Sequence, residues 1–190
     1  MGALSAPCGN EAGGCAVAKG MTTDELLQYR AAKDEFFKHD HHSPIVDQSA
    51  FAGLRYFDPD PAYRFTVPPT PADGTIIEVP TSDGQLRAYR RSATVNLEMP
   101  RNLVELTLFT TDGANGFFVP FRDATSGSET YGAGRYLDVE PNEDGTVTID
   151  FTLAYNPFCA YSEAYSCPLP PAENWLRVPI TAGEKDFQAI

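Results

Sequence analysis

From Phe51 onward, apolar side chains recur at every second residue, and that period limits what this chain can fold into. Val147, Ile149, Phe151 and Leu153 alternate with Thr146, Thr148, Asp150 and Thr152. A strand with one face on a core and the other toward water has this pattern, because successive side chains leave opposite sides of the pleat. The same alternation runs through Tyr63, Phe65, Val67, through Ala93, Val95, Leu97 and through Val104, Leu106, Leu108. It continues in Phe117, Val119, Phe121, in Arg135, Leu137, Val139 and in Leu176, Val178, Ile180, with shorter runs at 75–80 and 85–90. Turns are marked by Ala72-Asp73-Gly74, Ser82-Asp83-Gly84, Asp112-Gly113 and Glu143-Asp144-Gly145. The expectation is a mainly β fold of about 8–10 short strands, an antiparallel β-barrel or β-sandwich.

Ahead of the strands the period is 3.6. Thr22 and Glu25 have capping-box spacing, and Leu26, Tyr29, Ala32 and Phe36 follow one stripe. This predicts one N-terminal α-helix over about 23–38, stopped by His39–Pro44. Residues 1–20 lack bulky side chains and read as a flexible leader, so 21–190 reads as a single β-rich domain.

Composition narrows the partners. With 26 acidic against 14 basic side chains the net charge is −12, which excludes an electrostatic grip on nucleic acid or an anionic membrane. Such acidity suits a high-salt cytoplasm and is also common in ordinary soluble proteins. No apolar run is long enough to span a bilayer, and the N-terminus has neither a basic n-region nor an apolar h-region. A cytoplasmic protein follows, with a small molecule as the expected partner, no nucleic acid and no membrane. The sequence names no cofactor.

Strand direction locates a candidate site. The run ending at Phe121 enters the long segment 122–134 before the strand at Arg135 returns. The turn at 141–145 then lies at the opposite end, so the strand through Ile149 finishes at the end where 122–134 sits. There the chain enters a second excursion, 154–174. Loops this long in a small domain are usually functional or disordered. Both are rich in groups that orient ligands: Arg122, Asp123, Thr130, Tyr131 and Arg135 in the first, Tyr155, Asn156, Cys159, Glu173 and Asn174 in the second. Arg122 or Arg135 can clamp an anionic group, or else an Arg–Asp pair ties the loop down internally. The alternative is an enzyme at the same rim, with Asp123 or Glu173 moving a proton or Cys159 as nucleophile.

The four cysteines fall into two local pairs, Cys8 with Cys15 and Cys159 with Cys167. Neither pair has zinc-knuckle spacing. For Cys159 and Cys167 three states remain open: structural thiols, a disulfide, or a reactive or metal-ligating Cys159. His39, His41 and His42 are metal ligands by type, but a lone cluster without a second contributor is equally a solvated helix end.

FRDATSGSETYGAGRYLDVEP, IDFTLAYNPFCAYSEAYSCPLPPAENWLRVPI and the closing TAGEK, with YRAAKDEFFKHDHHSPI and FAGLRYFDPDPAYRF upstream, resemble domain-of-unknown-function family 1684. The resemblance covers about residues 25–185 and implies a bacterial or archaeal protein. The NPFCAYSEAY version is similar to haloarchaeal members. It carries over no activity and no cofactor. The histidines near position 40 and the cysteine-bearing leader depart from the family pattern, so no family role attaches to either.

Overall fold

The computed structural model describes residues 21–99, 102–111 and 115–187. The leader with Cys8 and Cys15, and the Asp112-Gly113 turn, lie outside the described residues. Helix α1 is Thr23–His39. Its capping box forms as expected: the Thr22 hydroxyl accepts from the Glu25 N–H at 3.3 Å, and the Glu25 carboxylate accepts from the Thr22 N–H at 2.7 Å. The helix ends where Ser43 Oγ and Gln48 Nε2 donate to the Phe37 carbonyl, at 2.6 and 3.1 Å, leaving no room for another turn.

The buried face of α1 is not the stripe the apolar residues suggest. Leu26, Arg30 and Phe37 are buried and Lys33 is half-buried, whereas Ala32 is exposed. The face turns because Arg30 and Lys33 find partners inside. Arg30 donates to the carbonyls of Phe57 and Thr152, at 2.9 and 3.3 Å, and Lys33 pairs with Glu184 at 2.5 Å. Phe37 completes the contact in an aromatic cluster with Phe51, Phe158 and Tyr161.

The strands are β1 (Arg64–Val67), β2 (Thr70–Pro71), β3 (Ile76–Pro80), β4 (Leu86–Met99), β5 (Asn102–Thr110), β6 (Phe117–Phe121), β7 (Arg135–Val139) and β8 (Val147–Asp150). One sheet runs β2-β4-β5-β6-β7 with β3 also on β4, and β1 pairs with β8 separately. Every ladder is antiparallel. The inner face of the large sheet packs on Val147, Ile149, Phe151 and Phe65, and Leu176, Ile180 and Ala182 belong to the same core. The expected mainly β, antiparallel character with one helix stands; among the described residues no sheet closes on itself into a barrel.

Two of the expected strands merge. The runs at 85–90 and 93–97 are one strand, β4, with a bulge between Arg91 and Ala93. Tyr89 and Ala93 share sequence parity, yet the inserted residue sends Tyr89 to the outer face with Val79 and Phe109. The alternation at Leu176, Val178 and Ile180 does not make a strand. The carbonyls here are used outside a strand ladder: Val178 accepts from the Ala124 N–H, and Ile180 and, just beyond, Ala182 accept from the Arg135 guanidinium. Finally, β8 stops at Asp150, whose carboxylate accepts from the Thr152 N–H at 3.0 Å and caps a 3-10 turn over Phe151–Leu153.

Candidate functional site

The two long segments do meet. Arg122 N–H donates to the Asn174 carbonyl at 3.0 Å, Leu176 N–H to the Arg122 carbonyl at 2.7 Å, and Ala124 N–H to the Val178 carbonyl at 3.1 Å. They lie side by side at the end of β6.

Most of the polar groups chosen from the sequence are turned inward. Arg135, 1% exposed, donates from Nη2 to Asp123 Oδ2 at 2.7 Å and to the Ile180 carbonyl at 2.9 Å. Its Nη1 donates to the carbonyls of Ala182 and Glu184. The other oxygen of Asp123 accepts from the Thr125 N–H at 2.6 Å, and the Thr125 hydroxyl lies 2.9 Å from that of the fully buried Thr130. Arg135 is therefore a strut between the first loop and the C-terminal segment. Burial lowers its pKa and Asp123 opposes the shift.

Asn174 is a splice. Where β5 and β6 diverge, its Oδ1 accepts from Thr107 N–H at 2.8 Å and its Nδ2 donates to the carbonyls of Thr107 and Pro120, each at 2.9 Å. Three buried backbone groups without ladder partners are thereby satisfied. Glu173 accepts a bidentate pair from Arg91, at 2.9 Å from Nε and 2.7 Å from Nη2. Tyr155 donates its hydroxyl to Asp138 at 2.7 Å, and burial pushes its pKa far up. Asn156 donates Nδ2 to the Lys185 carbonyl and its N–H to Glu184, each at 2.8 Å, while its Oδ1 is buried with no partner among the described residues.

Three groups remain oriented differently. The guanidinium of Arg122 sits 5.1 Å over the ring of Trp175, itself 53% exposed. Cys159, half-buried on the turn Phe158–Ala160, and the buried Cys167 are both free thiols. Tyr131 Oη lies 3.8 Å from Cys159 Sγ. The bond from the Cys167 thiol pulls Cys159 down to about 6; partial burial opposes it and Tyr131 adds to it. Cys167 is pushed up, first by the same bond and then by burial.

The histidines lie at and just beyond the exposed C-terminal end of α1. His42 Nδ1 lies 3.1 Å and His41 Nδ1 3.7 Å from Asp40 Oδ1, and His39 pairs with Glu35 at 3.5 Å. Asp40, His41 and His42 can bring ligand atoms within 4.8 Å of one another, but no fourth residue among those described joins them.

Glu184, 1% exposed, is the residue that sequence reasoning missed. It gathers Lys33 of α1, the Tyr161 hydroxyl at 2.7 Å and the Asn156 N–H, so helix and second loop share one buried carboxylate. The available signal was the pair Arg30 and Lys33, which share a helical face with Leu26 and Phe37. Two surface hollows border Met21, and neither takes a lining residue from 122–134 or 154–174. No helix among the described residues is long and apolar enough to cross a membrane.

Fold and site together define an antiparallel β domain with an N-terminal helix, its rim locked by a buried arginine–aspartate pair and a buried glutamate. The chain belongs to the family described as "Protein of unknown function (DUF1684)", whose model matches residues 49–185. It is also similar to an uncharacterised protein of Haloarcula marismortui solved by solution NMR, at 41% identity and a TM-score of 0.66, over 85% of this chain and 92% of that one. No curated protein matches it.

Proposed function

We propose that the domain binds a small anionic molecule on the outer side of the rim, with Arg122 and Trp175 as its contact. The observation carrying this reading is the difference between the two rim arginines. Arg135 cannot clamp a ligand without giving up Asp123 and three carbonyls inside the core. Arg122 forms no ion pair among the described residues, and it lies against the face of an exposed indole. A guanidinium stacked on an aromatic ring keeps its N–H fork available for a carboxylate or phosphate, while the ring offers an apolar surface to the rest of the molecule. Trp175 is fixed for this by its Nε1–H, which donates to the Pro170 carbonyl at 2.8 Å.

Asp123 and Glu173, the acid–base candidates at the rim, are both held in ion pairs, with Arg135 and Arg91. Of the enzyme reading, Cys159 alone keeps a free reactive group.

The test is a thermal-shift screen of small carboxylates and phosphate esters on the wild-type chain and on Arg122→Ala and Trp175→Ala. A ligand at 100 times its Kd stabilises by about 2.7 kcal/mol. The expected outcome is a shift in the wild type that both variants lose while melting normally without ligand. A shift that survives Arg122→Ala, or no shift with any anion, overturns the reading.

A further inference from the structure

The second pair of cysteines is placed in a way that chain connectivity alone does not require. Cys167 sits in an extended stretch that continues the edge of β3: Ser82 N–H donates to its carbonyl at 2.8 Å, its own N–H donates to Ser82 Oγ at 3.1 Å, and Leu169 N–H donates to the Pro80 carbonyl at 2.8 Å. That backbone is pinned. Cys159 lies on a separate turn, and its N–H points at the Cys167 sulfur at 3.3 Å. Both thiols are reduced, one buried and one half-exposed. Tyr131, from the other long loop, brings its hydroxyl to Cys159, and Arg87 adds positive charge beside Cys167 through its bond to the Ser166 carbonyl at 2.9 Å. One half-buried thiol with hydrogen-bond donors aimed at it, backed by a second, more deeply buried thiol, is the arrangement of an attacking and a resolving thiol.

We propose that Cys159 and Cys167 form a reversible dithiol–disulfide site that reacts with low-molecular-weight disulfides. The Cys159 thiolate attacks one sulfur of the oxidant; the S–S bond of the oxidant breaks, a Cys159–SR bond forms and one RS⁻ leaves. Cys167 gives its proton to that RS⁻, and its sulfur then attacks Cys159, expelling the second RS⁻. The pair loses two electrons and one proton, and the oxidant becomes one RSH and one RS⁻. The product ties the Phe158–Ala160 turn covalently to the edge of the large sheet.

Geometry assigns the order of attack, since Cys167 is only 7% exposed. Electrostatics sets the rate. With Cys159 at about 6, half of it is thiolate at pH 6. A free cysteine near 8.5 is about 0.3% ionised there, and after allowing for the lower nucleophilicity of the more acidic thiol the net gain is about tenfold.

The experiment equilibrates the full chain in buffers of reduced and oxidised glutathione, quenches, and maps the peptides carrying Cys159 and Cys167 by mass spectrometry. The expected result is a 159–167 peptide lighter by two hydrogens in oxidising buffer and restored in reducing buffer. Cys167→Ser should stop at a glutathione adduct on Cys159, while the first attack by Cys159 of the unaltered chain at pH 6 should run about ten times faster than on an unstructured cysteine peptide. Cys159→Ser should give no adduct on Cys167. Three outcomes overturn the proposal: both thiols remaining alkylatable in oxidised glutathione, Cys159 linked to Cys8 or Cys15 instead, or Cys159 of the unaltered chain reacting at pH 6 no faster than the peptide.

Discussion

Asp123→Asn is the sharpest test of the claim that the rim is an internal strut. Asn keeps the acceptor that receives the Thr125 N–H, so the local turn has no reason to open. What changes lies at 2.7 Å on the other side, where Oδ2 now accepts from Arg135 Nη2. An amide there presents either a donor against a donor or a neutral oxygen, and the guanidinium, 1% exposed, is left without a counter-charge. Breaking a buried pair from one side costs about 3–5 kcal/mol, because the stranded ion cannot recover its hydration. Three carbonyl acceptors remain, from Ile180, Ala182 and Glu184, and they hold the loss at the lower end of that range. For a domain whose total stability is about 5–15 kcal/mol the variant still folds. Equilibrium urea unfolding reads the loss. With a slope of about 2 kcal/mol per molar, the midpoint should fall by about 1.5–2 M at an unchanged slope. A fall under about 0.5 M would mean that the pair contributes no more than a surface salt bridge, and Arg135 would return as a ligand anchor.

Three further outcomes follow from named contacts. Asn174→Ala strands the N–H and carbonyl of Thr107 and the carbonyl of Pro120 and should cost about 3 kcal/mol or more in the same urea assay. Gly183→Ala should cost at least as much, since at φ +75° the new Cβ would sit 2.5 Å from the Ala154 carbonyl oxygen and 2.7 Å from that of Phe151; a midpoint near wild type would refute the close approach. Asp83 is held down at about 2, first by the Ser166 hydroxyl at 2.6 Å and then by Thr81, so Ser166→Ala should raise it toward the ordinary carboxylate range in an NMR titration. Because its folded pKa lies below its unfolded one, the contribution of Asp83 is fully present above about pH 4 and lost as pH falls through about 2.

Local rules were enough wherever a segment follows its own pattern. Thr22 and Glu25 announced the start of α1, and the even-numbered run Val104, Leu106, Leu108 announced the inner face of β5. They failed where a distant partner decides. Arg30 and Lys33 rotate α1 because acceptors wait for them at Phe57, Thr152 and Glu184, more than a hundred positions away in two of the three cases. The bulge in β4 reverses the face of Tyr89, and no glycine marks it in the sequence. At the rim, the meeting of the two loops was legible because antiparallel strands alternate in direction. The roles of the side chains were not, since arginine, aspartate and asparagine present the same donors and acceptors to a ligand as to a stranded carbonyl.

The two arginines nevertheless carry a readable difference. Arg135 has the parity of Leu137 and Val139, both of which face the core. A cation on that parity is buried unless the strand twists away, and an acid on the neighbouring strand or just beyond it is a partner that can offset its charge. Phe121 pairs with Arg135 across the ladder, and continuing its parity along the chain arrives at Asp123. Period two alone thus nominates the pair found at 2.7 Å. Arg122 falls on the opposite parity to Val119 and Phe121, which sends it outward to Trp175. The rule that located the strands therefore also separates the arginine that holds the rim together from the one turned outward against Trp175.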